Sequence, residues 1–173
     1  MGLIKPDSGE VIVDGVRMNH TSRRDLFHIR RKFGFVFQHS ALFDSLTVLE
    51  NLILPLTEIG IKLKEAEEKA LKTLKLVDMS PFVEKYPIEL SGGMKKRVAI
   101  ARALVTGPKY LLYDEPTTGL DPLIGDKIND LIVELKKKSG ATGIVVTHDL
   151  RSALKVSDRI VLLHRGEIVV DSP

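Results

Sequence analysis

Two adjacent carboxylates, Asp114 and Glu115, close the apolar run Tyr110-Leu-Leu-Tyr113. A hydrophobic strand that ends in paired acids fixes them at a sheet edge, where ligands bind. One acid can hold Mg²⁺ through a coordinated water while the other takes a proton from a water attacking a phosphate. A solvated acidic strand end is the plainer reading of the dipeptide alone. Leu90-Ser-Gly-Gly-Met94 offers a second piece of chemistry. Ser91 can cap the helix that follows, and Gly92 and Gly93 let backbone N–H groups come close to an anion that the helix dipole favours. In isolation such a loop is equally a simple turn. Lys95, Lys96 and Arg97 follow as solvated charges at the less favourable end of a helix for cations, a cost that a bound anion would relieve. His148 follows the apolar run Gly143-Ile-Val-Val-Thr147, where a neutral imidazole could touch a phosphate or hold a water. Gln38 ends Phe33-Gly-Phe-Val-Phe37, and its uncharged amide can meet Mg²⁺ or water without the desolvation cost of another carboxylate. Asp121 stands before Pro122 and is at the least a helix cap.

The elements that must position these residues follow from periodicity. Glu10-Val-Ile-Val-Asp-Gly15 reads as a strand and turn, and residues 22–31 as a helix capped by Ser22 with Asp25 three residues on. Residues 46–59 predict a helix broken or kinked at Pro55. Leu63, Ala66, Ala70, Leu74 and Val77 form the stripe of a helix over 62–77. Another helix runs from Gly92 or Gly93 to about Leu104. Asp121-Pro122 starts a helix with Ile124, Ile128, Leu131 and Leu135 as its buried face, stopped at Gly140. Asp149 caps a short helix, and Arg159–Leu163 and Glu167–Val170 are the last strands. Strands that are apolar without alternation, separated by helices, predict a mostly parallel α/β sheet covered on both faces. A helical segment over 45–105 interrupts it, so the chain reads as one domain, 1–173, with a helical subdomain inserted.

Composition bounds the rest. The chain has 173 residues, a net charge of +3, 43 % hydrophobic and 28 % charged residues, and no cysteine. Thiolate catalysis, zinc–cysteine sites, iron–sulfur clusters and disulfide scaffolds are therefore excluded. No apolar run approaches the length of a membrane span, and no signal-peptide core opens the chain. From Arg17 to Lys32 six basic residues face one acid, Asp25. A solvated helix face accounts for that run first, docking against a membrane-proximal partner second, and nucleic acid least, because no aromatic residues interleave for base stacking. The five histidines have no spacing that makes a metal site.

Taken in order, Gln38, Leu90-Ser-Gly-Gly-Met94, Tyr110–Glu115, Gly119-Leu-Asp121 and His148 resemble the Q-loop, signature, Walker B, D-loop and switch histidine of the nucleotide-binding subunit of ABC transporters. The resemblance implies a P-loop NTPase-like fold, ATP and Mg²⁺ as ligands, and ATP hydrolysis. It implies Glu115 and His148 as catalytic residues, with Gln38 and Asp114 at the metal. Ser91, Gly92, Gly93 and Asp121 would contact nucleotide or the facing subunit. The implied partners are a second such subunit in a homodimer and a transmembrane permease, with no nucleic acid. The implied location is the cytoplasmic face of the cell membrane. Phe37-Gln-His-Ser-Ala-Leu-Phe-Asp-Ser-Leu-Thr-Val48 and the methionine of the signature resemble the ATPase of bacterial MCE-type lipid transport systems, which adds lipid transport and MCE-type lipid-binding partners. No Gly-Lys dipeptide occurs in the chain, so the P-loop Gly-x-x-x-x-Gly-Lys-Ser/Thr is not present as a sequence. In relatives that motif opens the helix ending where Met1-Gly2-Leu3 stands. The expectation is an N-terminally truncated domain with its first strands and P-loop missing, inactive in hydrolysis alone. Two other functions remain open: a partner lending its signature face in trans, and a soluble ATPase of this class in DNA repair or translation.

Overall fold

A computed structural model describes residues 2–173, the side chain of His20 apart. Its first elements are the paired strands β1 (Ile12–Val13) and β2 (Val16–Arg17). They are joined by Asp14-Gly15 at φ 49° and 78°, a two-residue hairpin turn that favours Asp-Gly. The expectation that the first strands are missing is thereby corrected: the second arm, Val16–Arg17, is too short to show as a pattern. Gly2 has the positive φ of a helix stop, 66°, although residues 3–9 only bend. Met1, part of the expected helix end, lies outside the described residues.

Helix α1 (Arg23–Arg30) starts where the Ser22 hydroxyl accepts the Asp25 N–H. Much of the basic run is internally engaged. Arg17 pairs with Glu10, Lys32 with Asp14, and the Arg31 guanidinium donates to the Ile59 carbonyl. Strand β3 (Phe33–Val36) leads to α2 (Val48–Glu58), which opens on a reciprocal Thr47–Glu50 capping box. Pro55 lies inside α2 without ending it, so the expected break does not occur. Then come α3 (Leu63–Leu76) and α4 (Gly92–Leu104). Ala66, Ala70, Leu74 and Val77 are fully buried as the stripe predicts, but Leu63, at the start of α3, is 65 % exposed.

Strand β4 (Tyr110–Asp114), helix α5 (Pro122–Ser139), strand β5 (Thr142–Val146) and the short α6 (Leu150–Val156) follow, and β6 (Ile160–His164) pairs with β7 (Glu167–Ser172). Strands β3, β4 and β5 form a parallel sheet in that order, with Phe33 opposite Tyr110 and Asp114 opposite Val146. The two other pairs are antiparallel and separate, so the arrangement mixes parallel and antiparallel pairing rather than forming one mostly parallel sheet. Val36, Leu111 and Tyr113 of the sheet share one buried cluster with Val98 and Ile100 of α4, Leu131 and Leu135 of α5, and Leu52 and Leu74 of the helical segment. Contact is closest at Gly34, where a Cβ would stand 2.2 Å from the Ala103 carbonyl oxygen. Coverage on both faces fails at β5. Ile144 and Val146 are 55 % and 59 % exposed, and among the described residues β5 pairs on one side only. At the opposite end of the sheet Asp14 binds Lys32, Lys109 and the Tyr110 hydroxyl, pinning the N-terminal hairpin to the starts of β3 and β4.

Candidate functional site

The parallel register carries the chain ends of β3, β4 and β5 to one edge, and with them Gln38, Asp114, Glu115 and His148. Glu115 is the hub. Its Oε1 lies 2.8 Å from His148 Nδ1 and accepts the His148 backbone N–H at 3.1 Å. The Thr118 hydroxyl donates to Oε2 at 2.9 Å, and the Thr147 hydroxyl approaches at 3.4 Å. Glu115 has φ 46°, a left-handed conformation uncommon for a residue with a Cβ. Its own N–H donates to the Val146 carbonyl, so the strained residue is anchored to the neighbouring strand. Burial pushes the Glu115 carboxyl up, but the His148 and Thr118 hydrogen bonds outweigh it and hold the group below the ordinary range. The Glu115 hydrogen bond, and then its charge, raise His148 above the ordinary histidine value.

Asp114 and Gln38 bring one carboxylate and one neutral amide oxygen to the same edge. These are hard oxygen donors, suited to Mg²⁺ when phosphates and water complete the coordination. Among the described residues no group of three or more histidine, aspartate or glutamate side chains could hold a metal ion.

Ser91 caps α4 by accepting the Met94 N–H at 3.4 Å. The two glycines have a packing role within this chain. A Cβ on Gly93 would stand 2.5 Å from Ile124 Cγ2, and one on Gly92 3.2 Å from Leu120. The signature loop thus rests on the start of α5, where Asp121 Oδ1 accepts the Ile124 N–H at 3.0 Å. Ser91, Gly92, Gly93 and Asp121 form a second group, where the start of α4 meets the start of α5. No hydrogen bond among the described residues joins them to Glu115 or His148.

Sequence reading missed three participants. Thr118 and Thr147 are the hydroxyl donors to Glu115, and only their nearness in the chain to Glu115 and His148 could have pointed to them. Lys96, taken as solvated, is 3 % exposed. Its ammonium donates to the Gln38 carbonyl at 2.6 Å and the Glu115 carbonyl at 3.2 Å. Burial pushes the Lys96 ammonium down, and the Asp114 and Glu115 charges oppose that. Arg97 caps other carbonyl chemistry, donating to Val77 O at 3.0 Å and pairing with Asp78.

A family model described as "ABC transporter" matches residues 1–118. The chain is similar to the methionine import ATP-binding protein MetN of Carboxydothermus hydrogenoformans, 42 % identical over 168 residues covering 97 % of this chain and 50 % of that protein. It is similar to the glutamate/aspartate import ATP-binding protein GltL of Escherichia coli, 44 % identical over 173 residues covering 99 % of this chain and 71 % of that protein. Among solved structures it resembles the dimeric, post-hydrolysis ATP-binding cassette MJ0796 bound to ADP and Pi, with TM-score 0.85 and 40 % identity over 99 % of this chain and 75 % of that one. The chain thus spans about half the length of the methionine import protein. These relatives are amino-acid import proteins, which corrects the lipid-system expectation and removes MCE-type lipid-binding proteins as partners. The reading of a truncated, inactive chain is corrected as well. An ABC transporter family model matches residues 1–118, and relatives named for ATP binding align with 97 % to 99 % of the chain. The lack of a Gly-Lys dipeptide is a fact of the sequence, but the step from it to a shortened, inactive chain is withdrawn.

Proposed function

The chain belongs to the ABC transporter family, and from that premise we propose that it is the ATP-binding and ATP-hydrolysing subunit of a membrane transporter. The observation that carries this reading is the Glu115 carboxylate, held at the edge of the sheet by His148 and Thr118 beside Gln38 and Asp114. Glu115 takes the proton of the water that attacks the terminal phosphate, and its ionised state in this environment suits it to do so. His148 holds Glu115 in place and is exposed enough to touch the phosphate. Asp114 and Gln38 would hold Mg²⁺, which would supply positive charge against the phosphates. Ser91, Gly92, Gly93 and Asp121 lie on a separate patch and serve the facing subunit of a homodimer. The dimeric assembly of the similar cassette supports this.

A groove of about 720 Å³ beside the sheet suits the permease. Phe35, Phe37, Phe43 and Pro55 line it together with Arg31 and Arg102. The wall next to it leads directly to Gln38, so a partner seated there bears on the site. Among the described residues no helix is long and apolar enough to cross a membrane, which agrees with a subunit held at the cytoplasmic face through a permease. The names of the relatives favour import of small amino-acid solutes, with cargo choice left to other subunits.

Nucleotide binding and phosphate release by the purified chain with ATP and Mg²⁺ test the reading. Glu115→Gln should lower turnover by about 10²- to 10⁴-fold while nucleotide binding persists. A chain that binds no ATP, or a Glu115→Gln variant with wild-type turnover, would overturn it.

A further inference from the structure

Helix α4 begins at the signature loop, and one turn in it buries a cation. Lys96 is 3 % exposed, and neither of its two hydrogen bonds goes to a carboxylate. They go to main-chain carbonyls at two chemically separate places, Gln38 past the end of β3 and Glu115 past the end of β4. A buried ammonium is costly to keep, so its fixed partners need a reason. Both acceptors lie in backbone that is not regular strand. Glu115 is left-handed at φ 46°, and Ser40 and Ala41, just after Gln38, have φ 62° and 47°. Left-handed geometry is unfavourable for residues with a Cβ and persists only where the surroundings impose it. A cation that attracts the Glu115 carbonyl supplies that constraint, while the Glu115 carboxylate meets His148.

We infer that Lys96 is a positioning residue that sets the main chain of Gln38 and Glu115 together, so that the placement of α4 governs where the Glu115 carboxylate stands. Lys96 acts through the two carbonyls. Because α4 starts at Ser91–Gly93, a shift of the signature end of the helix is delivered through one side chain to both the glutamine and the acid. The inference rests on the ATPase reading for its purpose, since the positioned groups are the ones that reading places at the phosphate. Its geometry stands without nucleotide.

The test is amide hydrogen exchange on the purified chain and on Lys96→Met, which keeps the bulk of the stem and removes the charge. The two amides to follow are Glu115 N–H, bonded to Val146 O, and His148 N–H, bonded to Glu115 Oε1. Loss of the ammonium should speed both by about tenfold or more while ladder amides in β3 and β4 keep their rates. A residue that merely stabilised the fold would speed exchange throughout. A folded Lys96→Met variant with wild-type exchange at Glu115 and His148, or with uniform acceleration, overturns the inference. Should Lys96→Met fail to fold, the wild-type chain decides. Through-hydrogen-bond scalar couplings from Lys96 Nζ to the carbonyl carbons of Gln38 and Glu115 support the inference if present, and their absence overturns it. No nucleotide is used, so a chain that failed to bind ATP would sink the ATPase reading while this result stood by itself.

Discussion

At the scale of single residues the decisive contact is Glu115 with His148, and its response to pH follows from two opposed shifts. His148 is raised in the folded chain, so its contribution to stability is present in full below the unfolded histidine value and is lost as pH rises through the raised one. Glu115 is lowered, so its contribution is present above the unfolded glutamate value and is lost as pH falls through the lowered one. The ion pair therefore holds between those two limits. His148→Ala should move the Glu115 titration upward, because burial would then face the Thr118 and Thr147 hydroxyls and the main-chain N–H at 148 without the imidazole; carboxyl carbon NMR reads this, and an unmoved Glu115 counts against the pairing. Of the residues involved, the acid, the histidine and the glutamine were legible in the sequence because each ends an apolar run. Thr118, Thr147 and Lys96 were not. Hydroxyls and lysines are common, and only the left-handed turn at Glu115 and the burial of α4 give these three their partners.

Between elements, the tightest constraints are places where a glycine lets two backbones or a backbone and a branched side chain meet. Gly93→Ala would drive a methyl into Ile124 Cγ2 at 2.5 Å, and the expected cost is about 1–3 kcal/mol. Adding Ile124→Ala should recover part of that loss in a denaturation double-mutant cycle, since it removes the obstructing group. Full additivity would show that the two helices do not meet there. The sequence reads Gly92 and Gly93 as phosphate-friendly backbone, whereas packing of α4 on α5 already asks for Gly93. Helix starts were the best-read features, because Ser22, Ser91, Asp121 and Asp149 each place an oxygen on an orphan N–H. Pro55 does not end its helix, which runs on to Glu58. Leu63 misled because a periodic stripe extends one turn beyond the surface that its helix buries.

For the molecule as a whole, protection is uneven. Val161, Leu162, Leu163, Ile168, Val169 and Val170 of the β6–β7 pair are all exposed, against the fully buried Val36 and nearly buried Leu111 in the parallel sheet. Amides of β6 and β7 should exchange earliest among the strands, with those of β3 and β4 last; equal rates would mean the hairpin is held by more than its own ladder. That difference was illegible in the sequence, where Ile160–Leu163 and Phe33–Val36 look equally apolar, because burial depends on what covers a strand. The register of the parallel sheet also has a consequence in time. Phe33 must find Tyr110 across the entire helical segment, whose own core of Leu52, Leu56, Ala66, Ala70 and Leu74 is built from near neighbours in the chain. Contacts close in sequence form sooner than distant ones. In a refolding pulse-labelling experiment α2 and α3 should acquire protection before β3 and β4 do. The acid pair would then be among the last features to exist, assembled only after the helices beside it have already closed.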